Sequence, residues 1–409
     1  MNARVLKIAI VTKRLDRGGA ETHLLRVVPE LRARGIDVSM VVLERGGRLE
    51  ADFLARGITI EGPEKTGGRA LHVAKSAVQL ARHLRRNRFD AVHYFLPEPY
   101  LIGCMVSPFA GAPMRIMSRR SLSDYQRRHP ALGALERRLH AGTALLLGNS
   151  KAVADQLVAE SGTPGKVGLI HNGIALDQGK TGVPAEQVRR AIGLAGDAFV
   201  ITIVANLIDY KGHADLLEAL AIARPKLPAA WRLLVIGRDD GIGAQLKRQA
   251  DSAGLGDRIL WLGERTDAAG LLGIADLGVV ASHEEGFSNS LIEAMGLGVP
   301  IVATAVGGNL DAIVDRESGL LVPVRDPRAM AAAIAALTGD AALRHRLGPG
   351  ARQRVQALFT LERCVSRYEN LYRGLSRVGR EPVQAIIDGD IDPAERAGSY
   401  AGHPSLDPG

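Results

Sequence analysis

The chain is poor in cysteine, poor in aromatics and free of long apolar runs. Only Cys104 and Cys364 occur in 409 residues. They lie far apart and without metal-ligand spacing, which excludes a disulfide framework and offers no metal frame. Aromatic residues make up 4% and are not interleaved with basic ones, so the stacking platform for single-stranded nucleic acid is missing. No nucleic-acid partner is expected. No stretch approaches the ~20 apolar residues of a spanning helix, and the longest candidate, Tyr100 to Ala112, is broken by Ser107 and Pro108. The first apolar run is too short for a signal peptide. The expectation is a cytoplasmic protein, or one peripheral on the inner face of the cytoplasmic membrane.

What is present reads as a globular protein: 46% apolar and 23% charged residues. The length exceeds one ordinary core and points to two domains. A formal charge of +8 favours an anionic partner without choosing among nucleotide, nucleic acid and membrane surface.

Strand-like and helix-like patterns alternate twice. In the first half, Val5–Thr12, Asp37–Leu43, Ala91–Phe95, Arg115–Met117, Ala144–Leu147 and Val167–Ile170 read as strands between helical segments. In the second, Phe199–Ala205, Arg232–Ile236, Ile259–Leu262, Leu277–Val280 and Pro300–Ala303 do so. The pattern after Pro327 is helical to about Arg377. The expected fold is α/β, with two doubly wound Rossmann-like domains facing across a cleft, and C-terminal helices. The first domain is assigned to residues 1–178, a linker to 179–196 and the second domain to 197–360. A helix at 361–380 is expected to pack back on the first domain, followed by a flexible tail at 381–409.

Within the second half, the stretch Ser282–Met295 follows a short buried strand and opens a helix. A strand, a Gly-containing loop and a helix start present backbone N–H groups and a positive dipole end at one sheet edge. Glu285 and Glu293 flank that edge.

At these residues the sequence resembles the retaining glycosyltransferases of family 4, with the two-domain GT-B fold. The resemblance covers most of the chain. It rests on Gly18-Gly19-Ala20-Glu21, Asn149-Ser150, His171-Asn172-Gly173-Ile174, Val204–His213, Leu234–Gly237, Glu285-x₇-Glu293, Pro300–Thr304, Gly307-Gly308-Asn309 and Ser318–Pro323. Each motif is weak alone; their order and spacing are strong together. The resemblance implies transfer of a sugar from a nucleotide-diphosphate donor to an acceptor hydroxyl with anomeric retention. A glycan or a lipid-linked molecule would accept it, and no cofactor or metal would be required.

Lys211 is then the cation for the donor diphosphate, although a lone loop lysine is ordinarily solvated. Glu293 becomes the ribose acceptor, yet Ser290-Leu291-Ile292-Glu293 also reads as a helix capping box that would explain it structurally. Glu285 has no capping duty and is assigned to the donor sugar hydroxyls or the reacting face, with Lys211 as its catalytic partner. Gly18, Gly19, Asn206, Gly237, Phe287, Ser288 and Asn289 complete the donor-side candidates. The glycine pairs are otherwise common turns.

Two departures from the family pattern stand out. Asn206 occupies a position where the family usually has Arg, so one phosphate cation is missing; Arg14, Arg119 or Arg120 is a candidate replacement. Ser118-Arg119-Arg120-Ser121 stands where a His is common, and Arg cannot act as a base. That fits a mechanism in which the departing phosphate oxygen takes the acceptor proton. His93, Arg119 and Arg120 are the acceptor-side candidates, against the ordinary reading of His93 as structural.

From Arg69 to Arg138 thirteen Lys and Arg face four Asp and Glu. This is a solvated basic face or a surface for an anionic membrane. Asp388-Gly389-Asp390 has a metal-motif pattern but no sheet around it. Two alternatives remain: a non-catalytic nucleotide-sugar-binding protein or inactive partner, motivated by Asn206 and the absent His, and a nicotinamide dehydrogenase, disfavoured by the lack of a G-x-G-x-x-G after the first strand.

Overall fold

The computed structural model describes residues 5–111, 114–176, 183–194 and 196–389. They form two compact units: the chain up to Gly173 together with the segment from Leu361, and Ile174–Thr360. In the first unit, seven parallel strands are β1 (Lys7–Thr12), β2 (Asp37–Val42), β3 (Ile60–Glu61), β4 (Ala91–Phe95), β5 (Arg115–Arg119), β6 (Leu145–Gly148) and β7 (Val167–Leu169). Their spatial order is β3-β2-β1-β4-β5-β6-β7. The second unit has six: β8 (Phe199–Val204), β9 (Trp231–Ile236), β10 (Ile259–Gly263), β11 (Leu277–Val280), β12 (Ile301–Thr304) and β13 (Leu320–Val322), ordered β10-β9-β8-β11-β12-β13. Both are doubly wound Rossmann-like sheets.

The central strands are continuous apolar runs because helices cover both faces of a parallel sheet. β8 reads Phe-Val-Ile-Thr-Ile-Val and is buried through its four middle residues. Ile201 and Ile203 face one core with Leu216, Leu220 and Val235. Val200 faces the other with Leu234, Ile236 and Leu271.

The strand order reverses between β1 and β4, and again between β8 and β11. At such a point the loops leaving the two carboxyl ends run to opposite faces, which opens a crevice where ligands bind.

The helix Leu361–Arg373 belongs to the first unit, where Tyr368, Leu371 and Tyr372 join Leu24, Val28 and Ile10 in one core. The mobile tail expected from residue 381 does not begin there. Val383–Asp388 is a helix that buries Val383, Ile386 and Ile387, so close to β7 that a Cβ at Gly168 would lie 2.4 Å from Ile387. Apolar residues at i, i+3 and i+4 were the signal, hidden among Pro, Gly and Asp. Asp388, half of the apparent metal motif, is buried 3.5 Å from Arg367. Residues 390–409 of the expected tail, Asp390 among them, lie outside the described residues.

The expected linker also differs. Ala185–Ala191 is a helix, and Val188, Ile192 and Leu194 pack with Leu271 and Ile274 of the second unit. No helix among the described residues is long and apolar enough to cross a membrane.

Candidate active site

Lys211 and Glu285 come from the two loops that flank the reversal point of the second sheet. Lys211 ends the loop after β8; Glu285 lies in the loop after β11. Their side chains meet, with Lys211 Nζ donating to Glu285 Oε2 at 2.6 Å. Burial opposes charge on Lys211, but attraction to the Glu285 carboxylate and the hydrogen bond outweigh it, and the lysine pKa is raised. The lysine is a cation throughout the ordinary pH range.

The two loops are stitched together. The backbone N–H of His283 donates to the Tyr210 carbonyl at 2.7 Å, and His283 Nε2 lies 2.8 Å from Asp215 Oδ2. Gly212 has φ +68°, and a Cβ there would fall 1.9 Å from the Ala281 carbonyl oxygen. Only glycine lets the loops approach this closely.

A third loop supports Glu285 from behind. Ser282 Oγ donates to Glu285 Oε2 at 3.1 Å, and Thr304 at the end of β12 donates to the Ser282 carbonyl at 2.6 Å. Gly307 has φ +50°, and its Cβ would fall 1.8 Å from the Glu285 carbonyl. Ala205, Lys211, Ser282, Glu285, Ser288 and Ser290 line a pocket here, floored by apolar residues of β8 and β11.

The helix Asn289–Gly296 opens at the pocket. Its cap is Ser288, whose Oγ accepts from the Leu291 N–H at 3.2 Å. The helix is thus capped two residues before the Ser290 of the expected capping box, and Glu293 lies beyond its first turn. The Phe287 ring is buried 5.1 Å from that of Phe359 and anchors the loop.

Asn206 Nδ2 donates to Asp240 Oδ2 at 3.2 Å, and its Oδ1 accepts from the Arg238 N–H at 3.3 Å. Arg238 in turn donates from Nε to Asp240 Oδ1 at 2.6 Å. A guanidinium thus stands beside Asn206, although supplied by the loop after β9. Gly237 is tightly packed, since a Cβ would fall 2.0 Å from the Ala205 carbonyl.

In the first unit, Gly18 caps the helix Gly19–Ala33 in an extended conformation. Arg14 is engaged by Glu44 at 2.7 Å and Asp16 at 3.2 Å. Two acceptor-side candidates prove to be buried structure. His93 is fully buried, with Nδ1 2.7 Å from the Tyr372 hydroxyl and Nε2 2.7 Å from Ser118 Oγ. Burial, and secondarily Arg120, lower its pKa to about 3, so it is a neutral strut between β4 and the helix Leu361–Arg373. Arg119 is buried too, held by Glu136 at 2.6 Å and Glu160 at 2.6 Å. Sequence could not separate it from Arg120; its pairing depends on which strand face it takes.

Residues 17–178 match the family model described as Glycosyltransferase Family 4, and residues 184–354 the one described as Glycosyl transferases group 1. Together these span well over half of the chain. The chain belongs to the group 1 glycosyltransferases. This glycosyltransferase is 27% identical to a D-inositol 3-phosphate glycosyltransferase of Thermomonospora curvata, over 91% of this chain and 95% of the relative. It is 30% identical to the N-acetyl-alpha-D-glucosaminyl L-malate synthase of Bacillus anthracis, over 47% and 49% of the two chains. Its fold is similar to that of HepE from Anabaena in complex with UDP and glucose, with a TM-score of 0.80 at 21% identity, covering 91% of this chain and 99% of that one.

The residues missed by sequence reasoning are the supports: Thr304, Tyr210, and the His283–Asp215 pair. The last had a signal, since His283 adjoins Glu284 and Glu285, but its partner lies 68 residues away.

Proposed function

We propose that this glycosyltransferase moves a sugar from a UDP- or GDP-linked donor to a hydroxyl of a glycan or lipid-linked acceptor, with retention, in surface polysaccharide or glycolipid synthesis. The observation that carries the reading is the Lys211–Glu285 pair at the reversal point of the second sheet. Lys211 offsets the charge that develops on the departing diphosphate. Glu285 faces the sugar hydroxyls, since beside the phosphates it would be repelled. Glu293 accepts from the ribose hydroxyls. No metal is asked for, and the leaving phosphate oxygen takes the acceptor proton. Membership of the family and a UDP-bound structure of similar fold support the donor class.

An anionic membrane surface fits the first unit. Leu71 and Val78 are exposed on the helix that carries Arg69, Arg82, Arg85 and Arg86, Leu132 and Leu135 on the one that carries Arg137 and Arg138, and Met105 and Phe109 are exposed near the end of the helix Pro97–Val106. Apolar side chains amid arginines suit the headgroup boundary of a bilayer.

The test is a thermal-shift panel of nucleotide sugars, followed by NMR of the product anomer. An inverted product sinks retention; binding of a donor without transfer to any glycan or lipid extract selects the non-catalytic reading.

A further inference from the structure

Two adjacent arginines at the end of β5 meet opposite fates. Strand alternation sends Arg119 and Arg120 to opposite faces. Arg119 is paired with two carboxylates. Arg120 is half-buried, and its Nη2 donates to the neutral Asn172 Oδ1. The guanidinium carbon lies 5.9 Å from the centre of the Phe95 ring. Among the described residues, no carboxylate forms an ion pair with it.

Glu21 feels the Arg120 charge without forming an ion pair with it. The groups that feel the Arg120 charge are Glu21, His23, His93, Cys364 and Tyr368. Burial keeps the two histidines neutral, and burial raises the Glu21 pKa despite Arg120. A carboxylate in a tight pair with the arginine would move the other way. At the neighbouring carboxyl end of β6, Asn149 is buried with its Oδ1 unpartnered, while its Nδ2 donates to the Arg120 carbonyl at 3.4 Å. Beside Phe95, Leu96 holds φ +74° at the start of the helix Pro97–Val106, a backbone strain of the sort that gathers at binding sites.

We infer that Arg120 is the anchor for an oxyanion carried by the acceptor, a phosphate or a carboxylate. A half-buried cation without an ion-pair partner is costly, and a planar fork matches either oxyanion by two parallel hydrogen bonds. The place is the carboxyl edge of a doubly wound sheet, where ligands lie. Arg120 thereby selects acceptors that carry negative charge. The inference rests on the glycosyltransferase reading for the word acceptor; the anion site stands on the geometry alone.

The experiment is thermal unfolding at constant ionic strength, with inorganic phosphate or acetate replacing chloride and with saturating UDP or GDP to occupy the donor site. Wild type should be raised in Tm by phosphate or by acetate, and which of them acts distinguishes the two oxyanions. Arg120→Gln should lose that rise while keeping the rise due to nucleotide, which also shows that it is folded. Arg120→Lys, which keeps the charge and loses the fork, should bind the anion roughly ten-fold more weakly. Equal anion responses in wild type and Arg120→Gln, or none in either, overturn the site. Failure of both nucleotides to bind, with the anion response intact, instead removes the donor reading and leaves the anion site standing.

Discussion

Lys211 and Glu285 lie 74 residues apart in the chain and 2.6 Å apart in space. The order reversal between β8 and β11 brings them together, and Gly212, His283 and Thr304 lock the loops that carry them. The first prediction follows from the pair. Lys211→Ala and Glu285→Gln should each lower transfer by about 10²–10³-fold, the scale for losing one preorganised charge at a reacting centre. Lys211→Ala should also weaken nucleotide-diphosphate binding in calorimetry, whereas Glu285→Gln should weaken it little. Equal loss of nucleotide affinity in both would refute the division of roles.

Ser288, and not Ser290, holds the start of the helix Asn289–Gly296. Ser288→Ala should cost about 1 kcal/mol in urea unfolding. Ser290→Ala should cost a few tenths at most. Glu293→Gln should leave the urea midpoint near that of wild type yet reduce nucleotide affinity. A stability loss in Glu293→Gln equal to that in Ser288→Ala would restore the capping-box reading.

The Arg119 cluster is structural. Removing the guanidinium leaves the buried Glu136 and the half-buried Glu160 without their shared arginine, so Arg119→Ala should destabilise by about 3–5 kcal/mol. Nucleotide affinity measured on the folded fraction should be unchanged. A folded Arg119→Ala with wild-type midpoint would show that the site tolerates the bare carboxylates.

Buried histidines set an acid limit. His93 has its pKa lowered to about 3 and His213 to about 4, both chiefly by burial. The unfolded chain therefore binds more protons than the folded one between those values and the ordinary histidine pKa near ~6.5. Stability is full above pH ~6.5 and falls as pH drops towards 4, by up to about 1.4 kcal/mol per pH unit for each such histidine. Urea midpoints at pH 7 and 5 should show the fall, and His93→Gln should show less of it. A midpoint that rises on acidification would contradict the burial of neutral imidazoles.

The apolar and basic face predicts lipid dependence. Phe109 is 81% exposed and Leu71 64%, so Phe109→Ser with Leu71→Ser should reduce cosedimentation with phosphatidylserine-containing vesicles several-fold. Binding should also weaken with salt, as exposed charges are screened. Cosedimentation independent of anionic lipid content would remove the membrane from the reading.

Much of this was legible in one dimension. The two alternations of apolar runs with helical segments, the Gly-containing loops and the spacing of Glu285 and Glu293 are local properties of the chain. They determine strand and helix by periodicity and suffice to indicate two doubly wound sheets. Residues that pair across long separations were out of reach. The capping box at Ser290 was a sound local reading, but a cap is chosen by where the loop enters the helix. The loop after β11, held by Gly307 and Thr304, enters two residues earlier.

What the sequence by itself determined was the family, the two sheets and the names of Lys211 and Glu285. Tertiary structure alone decided which neighbouring cation is paired with carboxylates inside the fold and which is not. Arg119 and Arg120 are identical side chains one residue apart. The pleat turns one towards Glu136 and Glu160, and the other towards Asn172 and Phe95. Charge compensation depends on partners 17 and 41 residues away, and only the folded sheet brings them into range.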